Sequence, residues 1–160
     1  MAKPEDLLGT WTMLSWQKQT VATGQTADAH GLNPIGYITY CPDGRMHAIV
    51  VRRDRATPQK LPPTDAEKLR LFDSMLAYAG TYSLEEDKVV HHVDTSWNQA
   101  WTNTDLIRFY EFENGLLTIT GAPATDQEVV HRYRLLGVLE LEPQTFVLEK
   151  TCSPITVVSV

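Results

Sequence analysis

The sequence predicts an all-β protein: an antiparallel barrel of about eight or nine short strands, with one α-helix over about residues 64–79 packed on it or across a mouth. Three observations carry this. Short runs rich in β-branched and aromatic residues recur at hairpin spacing from Leu7 to Thr151. Two tight-turn signals, Pro42-Asp43-Gly44 and Asn114-Gly115, each join a pair of such runs. Only one stretch has helical periodicity, and parallel strands would need long crossovers that the spacing does not provide.

The first run, Leu7 to Gln19, alternates loosely. Trp11, Met13 and Ser15 fall on one face and Thr12, Leu14 and Trp16 on the other, as in a strand covered on both sides. Thr20 to Pro34 is polar and Gly-bearing and reads as a long loop without an element of its own. In the hairpin Ile35 to Val51, a type I turn closed by Gly44 sets Tyr40 opposite Met46, Ile38 opposite Ala48 and Gly36 opposite Val50. That apolar set belongs inside, which sends Tyr37, Thr39, His47 and Ile49 outward. Arg52 to Pro63 is a charged, Pro-bearing loop. Thr64-Asp-Ala-Glu67 has the capping-box pattern, Leu69, Phe72, Met75 and Leu76 follow at helical spacing, and Gly80 is a plausible stop. The remaining strands are Thr81–Leu84, Val89–Asp94, Leu106–Phe112, Leu116–Thr120, Val129–Leu136 and Thr145–Thr151.

Bulk properties exclude several function classes. The 160 residues make one domain, 1–160, of ordinary composition, with 42% hydrophobic and 21% charged residues. A net charge of −6 argues against nucleic acid or an anionic membrane as partner. No apolar run approaches a membrane span, and Cys41 and Cys152 are far apart, so a reduced, cytoplasmic setting is expected. The five histidines are scattered, cysteines are not paired at metal spacing, and no Gly-rich phosphate loop occurs. Neither a metal nor a cofactor is therefore expected.

The Asn114-Gly115 turn fixes the second hairpin, with Phe112 opposite Leu117 and Tyr110 opposite Ile119. Its bulkier apolar face holds Leu106, Arg108, Tyr110, Phe112, Leu117 and Ile119, which puts a guanidinium inside. Such a group needs a partner: a buried acid, or a ligand carboxylate, enolate or phenolate. His91 and His92 are adjacent, so only one can face inward. A two-residue loop before them selects His91, beside Tyr82; a three-residue loop selects His92. Trp97 and Trp101 lie in an irregular polar segment and either plug a barrel mouth or stack on a ligand.

Leu8-Gly-Thr-Trp11, Gly36-Tyr-Ile-Thr-Tyr40, Pro42-Asp-Gly-Arg-Met46, Tyr78-Ala-Gly-Thr-Tyr82, Val90-His-His-Val93 and Arg108-Phe-Tyr110 together resemble the lipocalin-like domain proteins of bacteria and fungi. The resemblance covers about Leu7 to Lys150. It implies a lipocalin-like barrel with an apolar calyx, and Trp11 would close its floor. Where family members tend to end in a Trp-Glu-Arg-like motif, this chain has Leu148-Glu149-Lys150, and Lys150 lacks the planar group that stacks on indole. Some lipocalin-like proteins of natural-product pathways resemble cofactor-free isomerases or cyclases.

Two functions follow as expectations. One is binding of a small hydrophobic or aromatic molecule in a pocket lined by Trp11, Ile38, Tyr40, Met46, Ala48, Phe112, Leu117 and Ile119, with Trp97 and Trp101 at its mouth. The other is a cofactor-free isomerase or cyclase, possibly a cycloaddition catalyst, of secondary metabolism. In that case Arg108 stabilises developing negative charge, Tyr110 or Tyr40 donates a proton, and the inward one of His91 and His92 shuttles protons. An exposed Tyr37, Ile49 and Val51 face is compatible with a homodimer.

Overall fold

A computed structural model of the protein describes residues 4–121 and 129–137. After a 3-10 turn at Pro4–Leu7 come β1 (Gly9–Thr20), β2 (Thr26–Asp28), β3 (Ile35–Tyr40), β4 (Arg45–Val51), α1 (Asp65–Asp73), β5 (Met75–Leu84), β6 (Lys88–Ser96), β7 (Thr104–Glu113), β8 (Leu116–Gly121) and β9 (Val129–Gly137). All pairings are antiparallel. Strands β1 and β3 to β9 run in order around the sheet, and β9 pairs back onto β1 from Thr20↔Val129 to Trp11↔Gly137. That closes an eight-stranded barrel. The expected strand over Thr145–Thr151 lies outside the described residues; the ninth strand is β2, a short edge laid on Gln17–Gln19 of β1, inside the stretch expected to be all loop.

The β3–β4 hairpin has the register its turn dictates. Tyr40 pairs with Met46, Ile38 with Ala48 and Gly36 with Val50, and burial alternates strictly along both strands. Gly44 takes a left-handed φ of 82°, where a side chain would be strained. The β7–β8 hairpin likewise pairs Phe112 with Leu117 and Tyr110 with Ile119 about Asn114 and Gly115.

Two sequence expectations are corrected here. The helix does not reach residue 79. It starts at Thr64 with the capping box intact, Glu67 reaching back to the Thr64 N–H at 2.8 Å, but it ends at Asp73 with Ser74 as C-cap. None of its residues is buried. From Met75 the buried positions Leu76, Tyr78 and Gly80 recur with period two, and this segment is consumed as β5 by pairing with all of β4. Gly80 is therefore no helix stop. It sits at a bulge in the β5–β6 ladder, where a Cβ would clash with the His92 carbonyl oxygen.

The second correction concerns β1. A register shift between Met13 and Ser15 interrupts the alternation. Leu14 turns outward, and Trp16 joins Trp11 and Met13 in the core instead of occupying the opposite face. Perfect alternation would have kept that indole out of the barrel.

Candidate functional site

The barrel interior is unequal along its axis. At one end Tyr40, Met46, Leu117 and Val89 are at most 1% exposed and fill the section. Trp11 closes that end. Its Nε1 donates to the Leu7 carbonyl at 2.9 Å, its ring meets Phe112 edge to face at 5.6 Å, and its benzo edge lies on Gly137. Lys150, the residue expected opposite it, lies outside the described residues.

Toward the other end a cavity opens, walled by Met13, Trp16, Ile38, Ala48, Val50, Leu76, Trp101, Ile119 and Leu135, with Tyr78, His91, Arg108, Tyr133 and the largely exposed Tyr37 as its polar members. Its free interior is about 30 Å³, enough for roughly two waters. The whole crevice, its open mouth included, spans about 430 Å³. Ala48 on β4 leaves part of this room, and Gly121, which pairs with Arg108 across β7–β8, sets no side chain against the guanidinium. A Cβ on Gly121 would touch the Arg108 Nη1 at 3.5 Å.

Glu85 N–H donates to the Lys88 carbonyl, so the β5–β6 loop has two residues, Tyr82 pairs with His91, and His91 is the inward histidine. It is wholly buried, with Nε2 2.9 Å from the Tyr40 hydroxyl and Nδ1 2.9 Å from the Tyr78 hydroxyl. Burial first, then the Arg108 and His92 charges, hold it well below the usual histidine pKa, so it is a neutral imidazole with one N–H and one lone pair. One tyrosine must donate to it and the other accept. The Arg108 charge lies near enough to the Tyr78 phenol to oppose, in part, the effect of its burial. Burial raises both phenols, Tyr78 to about 12 and Tyr40 well above its usual value.

A second cluster extends the wall. Trp16 Nε1 donates to His131 Nδ1 at 3.0 Å, which fixes the proton of that imidazole on Nε2. The Trp16 ring stacks on His30 at 4.8 Å and meets Tyr133 at 5.2 Å. His131 is kept below its usual pKa by burial, then by the charges of Arg108 and Lys18. The Tyr133 hydroxyl has no hydrogen-bond partner among the described residues.

Of the residues singled out from sequence, Ile38, Ala48, Ile119, Trp101, Arg108 and His91 meet at this cavity. Met46 and Leu117 are packing, at 1% and 0% exposure. Trp11, Tyr40 and Phe112 border an open depression at the closed end, and Phe112 is 40% exposed rather than enclosed. Tyr110 is buried but belongs to the packed end and does not line the cavity. His92 is corrected outright: it faces outward, bonded to Ser83 Oγ at 2.9 Å and Asp105 Oδ1 at 2.7 Å. Trp97 and Trp101 pack edge to face at 5.0 Å, Trp97 meeting Phe72 of α1 and Trp101 meeting Tyr78, so they roof the hollow end.

Trp16, Tyr78, Tyr133 and Met13 were absent from the sequence-derived site. Tyr78 was hidden inside a presumed helix, Trp16 behind the bulge. Tyr133 could have been found by carrying the β8 register one strand further, since it pairs with Ile119.

Residues 8–136 match the family model described as the lipocalin-like domain. The chain belongs to the lipocalin-like domain family. Among solved structures, this lipocalin-like chain is similar to a lipocalin-like protein from Bacteroides uniformis, at 13% identity and a TM-score of 0.45, covering 82% of this chain and 98% of that one. A comparison with curated proteins finds no match. The lipocalin-like barrel is consistent with small-molecule binding. Among the described residues no helix is long and apolar enough to cross a membrane, and no cluster of three metal-ligating side chains occurs.

Proposed function

We propose that this lipocalin-like barrel binds a small, largely hydrophobic molecule in its interior, in the crevice between Ala48, Leu76, Ile119 and Leu135 and under Trp101. One observation supports this above the others: the barrel is filled at one end and hollow at the other, and the hollow is mainly apolar. A molecule larger than two waters enters by displacing Trp101 or neighbouring side chains. Native mass spectrometry on protein purified from its own host tests the proposal. A discrete bound mass is expected, and Ala48→Leu, which fills the hollow, should abolish it while the fold is kept. Unchanged occupancy in that variant would sink the idea.

The Tyr40–His91–Tyr78 chain with Arg108 beside it in the cavity wall favours a second reading, a cofactor-free isomerase or cyclase of secondary metabolism. Both ring nitrogens of His91 are occupied, so His91 would act as a positioning residue and proton relay, with Tyr78 as the group that exchanges a proton with substrate. Arg108 would stabilise negative charge developing on a carbonyl oxygen. Recovery of the bound molecule in an isomerised form, with turnover lost in Tyr78→Phe, would favour this reading; recovery unchanged favours the binder.

A further inference from the structure

The polar part of the cavity wall holds a cation and no acid. His91 has both nitrogens committed to tyrosines, and the Trp16 N–H is committed to His131. The Tyr78 hydroxyl is committed to His91 Nδ1. Beside the Trp101 N–H and the 44% exposed Tyr37, what remains uncommitted is the guanidinium and the Tyr133 hydroxyl. Of the five guanidinium N–H groups, one on Nη1 reaches the Ile107 carbonyl at 3.1 Å. That partner is not an acid. No carboxylate lines the cavity, and among the described residues none forms an ion pair with Arg108. Opposite Arg108, Gly121 leaves the space over the guanidinium clear of a side chain.

Such a corner is unfavourable for a neutral apolar ligand, which would cover a cation and a hydroxyl without satisfying them. It is favourable for an anion, which accepts charge-assisted bonds from both. The shape adds a second constraint. The crevice is narrow, and four of its walls are the rings of Trp16, Tyr78, Trp101 and Tyr133, which suit a flat partner.

We propose that the ligand is a small, flat, apolar molecule bearing one carboxylate, with its oxygens on Arg108 and the Tyr133 hydroxyl and its ring among Ile38, Ala48, Leu76 and Ile119. This rests on the cavity-binding function above and narrows it to a chemical class. Trp16 and Trp101 report occupancy through their fluorescence, so two probes of the same shape decide the matter: 2-naphthoate and its neutral counterpart 2-naphthamide. The naphthoate should bind at least about tenfold more tightly, as a charge-assisted pair in place of a neutral contact implies. Arg108→Met should bring the naphthoate down to the amide's affinity and leave the amide within about threefold, since only the charged contact is lost. Arg108→Lys, which keeps the charge but not the fork, should retain part of the preference, and Tyr133→Phe should weaken only the naphthoate. Thermal melts establish that each variant folds; if Arg108→Met does not, Arg108→Lys and Tyr133→Phe decide. Equal affinity for the two probes in the unmodified protein overturns the carboxylate assignment and leaves the binding function standing. Binding of neither probe, with no bound mass in the native spectrum, overturns both.

Discussion

The two ends of this barrel are built from the same strands and do different work. At the closed end each strand delivers a large side chain: Tyr40 from β3, Met46 from β4, Leu117 from β8, all at most 1% exposed. Two residues further along, the same strands deliver Ile38, Ala48 and Ile119, and opposite them stand Arg108 and Gly121. The closed end is held by packing. The hollow end is held by the hydrogen bonds of His91 to Tyr78 and, reaching back to the closed end, to Tyr40, with apolar walls between which space is left. The difference teaches that a barrel of this size becomes a container through small residues placed at one level, without any change of topology.

The contrast can be broken by substitution, beginning with the closed end. Leu117→Ala leaves a sealed void among side chains that cannot collapse, and it should cost about 3 kcal/mol, read as a lower urea midpoint at unchanged m-value. At the hollow end, His91→Leu removes two hydrogen bonds, but Tyr78 lines the cavity whereas Tyr40 is wholly buried, so chiefly Tyr40 is orphaned. The expected cost is about 2 kcal/mol, and adding Tyr40→Phe should recover much of it. By contrast His92→Ala, on an exposed pair, should change stability by no more than about 0.5 kcal/mol.

The pH dependence isolates the hollow end. His91 is depressed in the fold from its ordinary value of 6.5, chiefly by burial, so below that pH the unfolded chain takes up a proton that the native state refuses. Stability should thus be level above about pH 7 and fall as pH drops below about 6.5, by up to about 1.4 kcal/mol per unit from this residue alone. His30 and His131, also lowered by burial, act in the same direction. The same residue allows a comparison between proteins: His91→Leu should show a shallower acid limb than the parent in urea melts taken between about pH 7.5 and 5.5, and an identical limb would place the titration elsewhere.

Much of the fold was legible because local chemistry dictates it. Pro42-Asp43-Gly44 and Asn114-Gly115 each force one turn, and one turn fixes the face of every residue on two strands. From that alone Arg108 is inside and His47 outside. The helix boundary was not legible, because Leu69, Phe72, Met75 and Leu76 recur at helical spacing while Leu76 and Tyr78 also fit a strand, and only pairing with β4 decides where the helix stops. Nor was the bulge at Leu14 legible, since a β-bulge arises from how β1 meets β9, more than a hundred residues away in sequence.

By itself, then, the sequence determined the barrel, its two governing hairpins and a cation in an apolar interior, all consequences of contacts between near neighbours. Tertiary structure alone decided what surrounds that cation. Tyr78 lies 13 residues from His91, Tyr40 lies 51 from it, and Trp16 lies 115 from His131. Those partners meet because a closed sheet brings distant strands to one level, and closure is a property of the whole chain that no local pattern encodes.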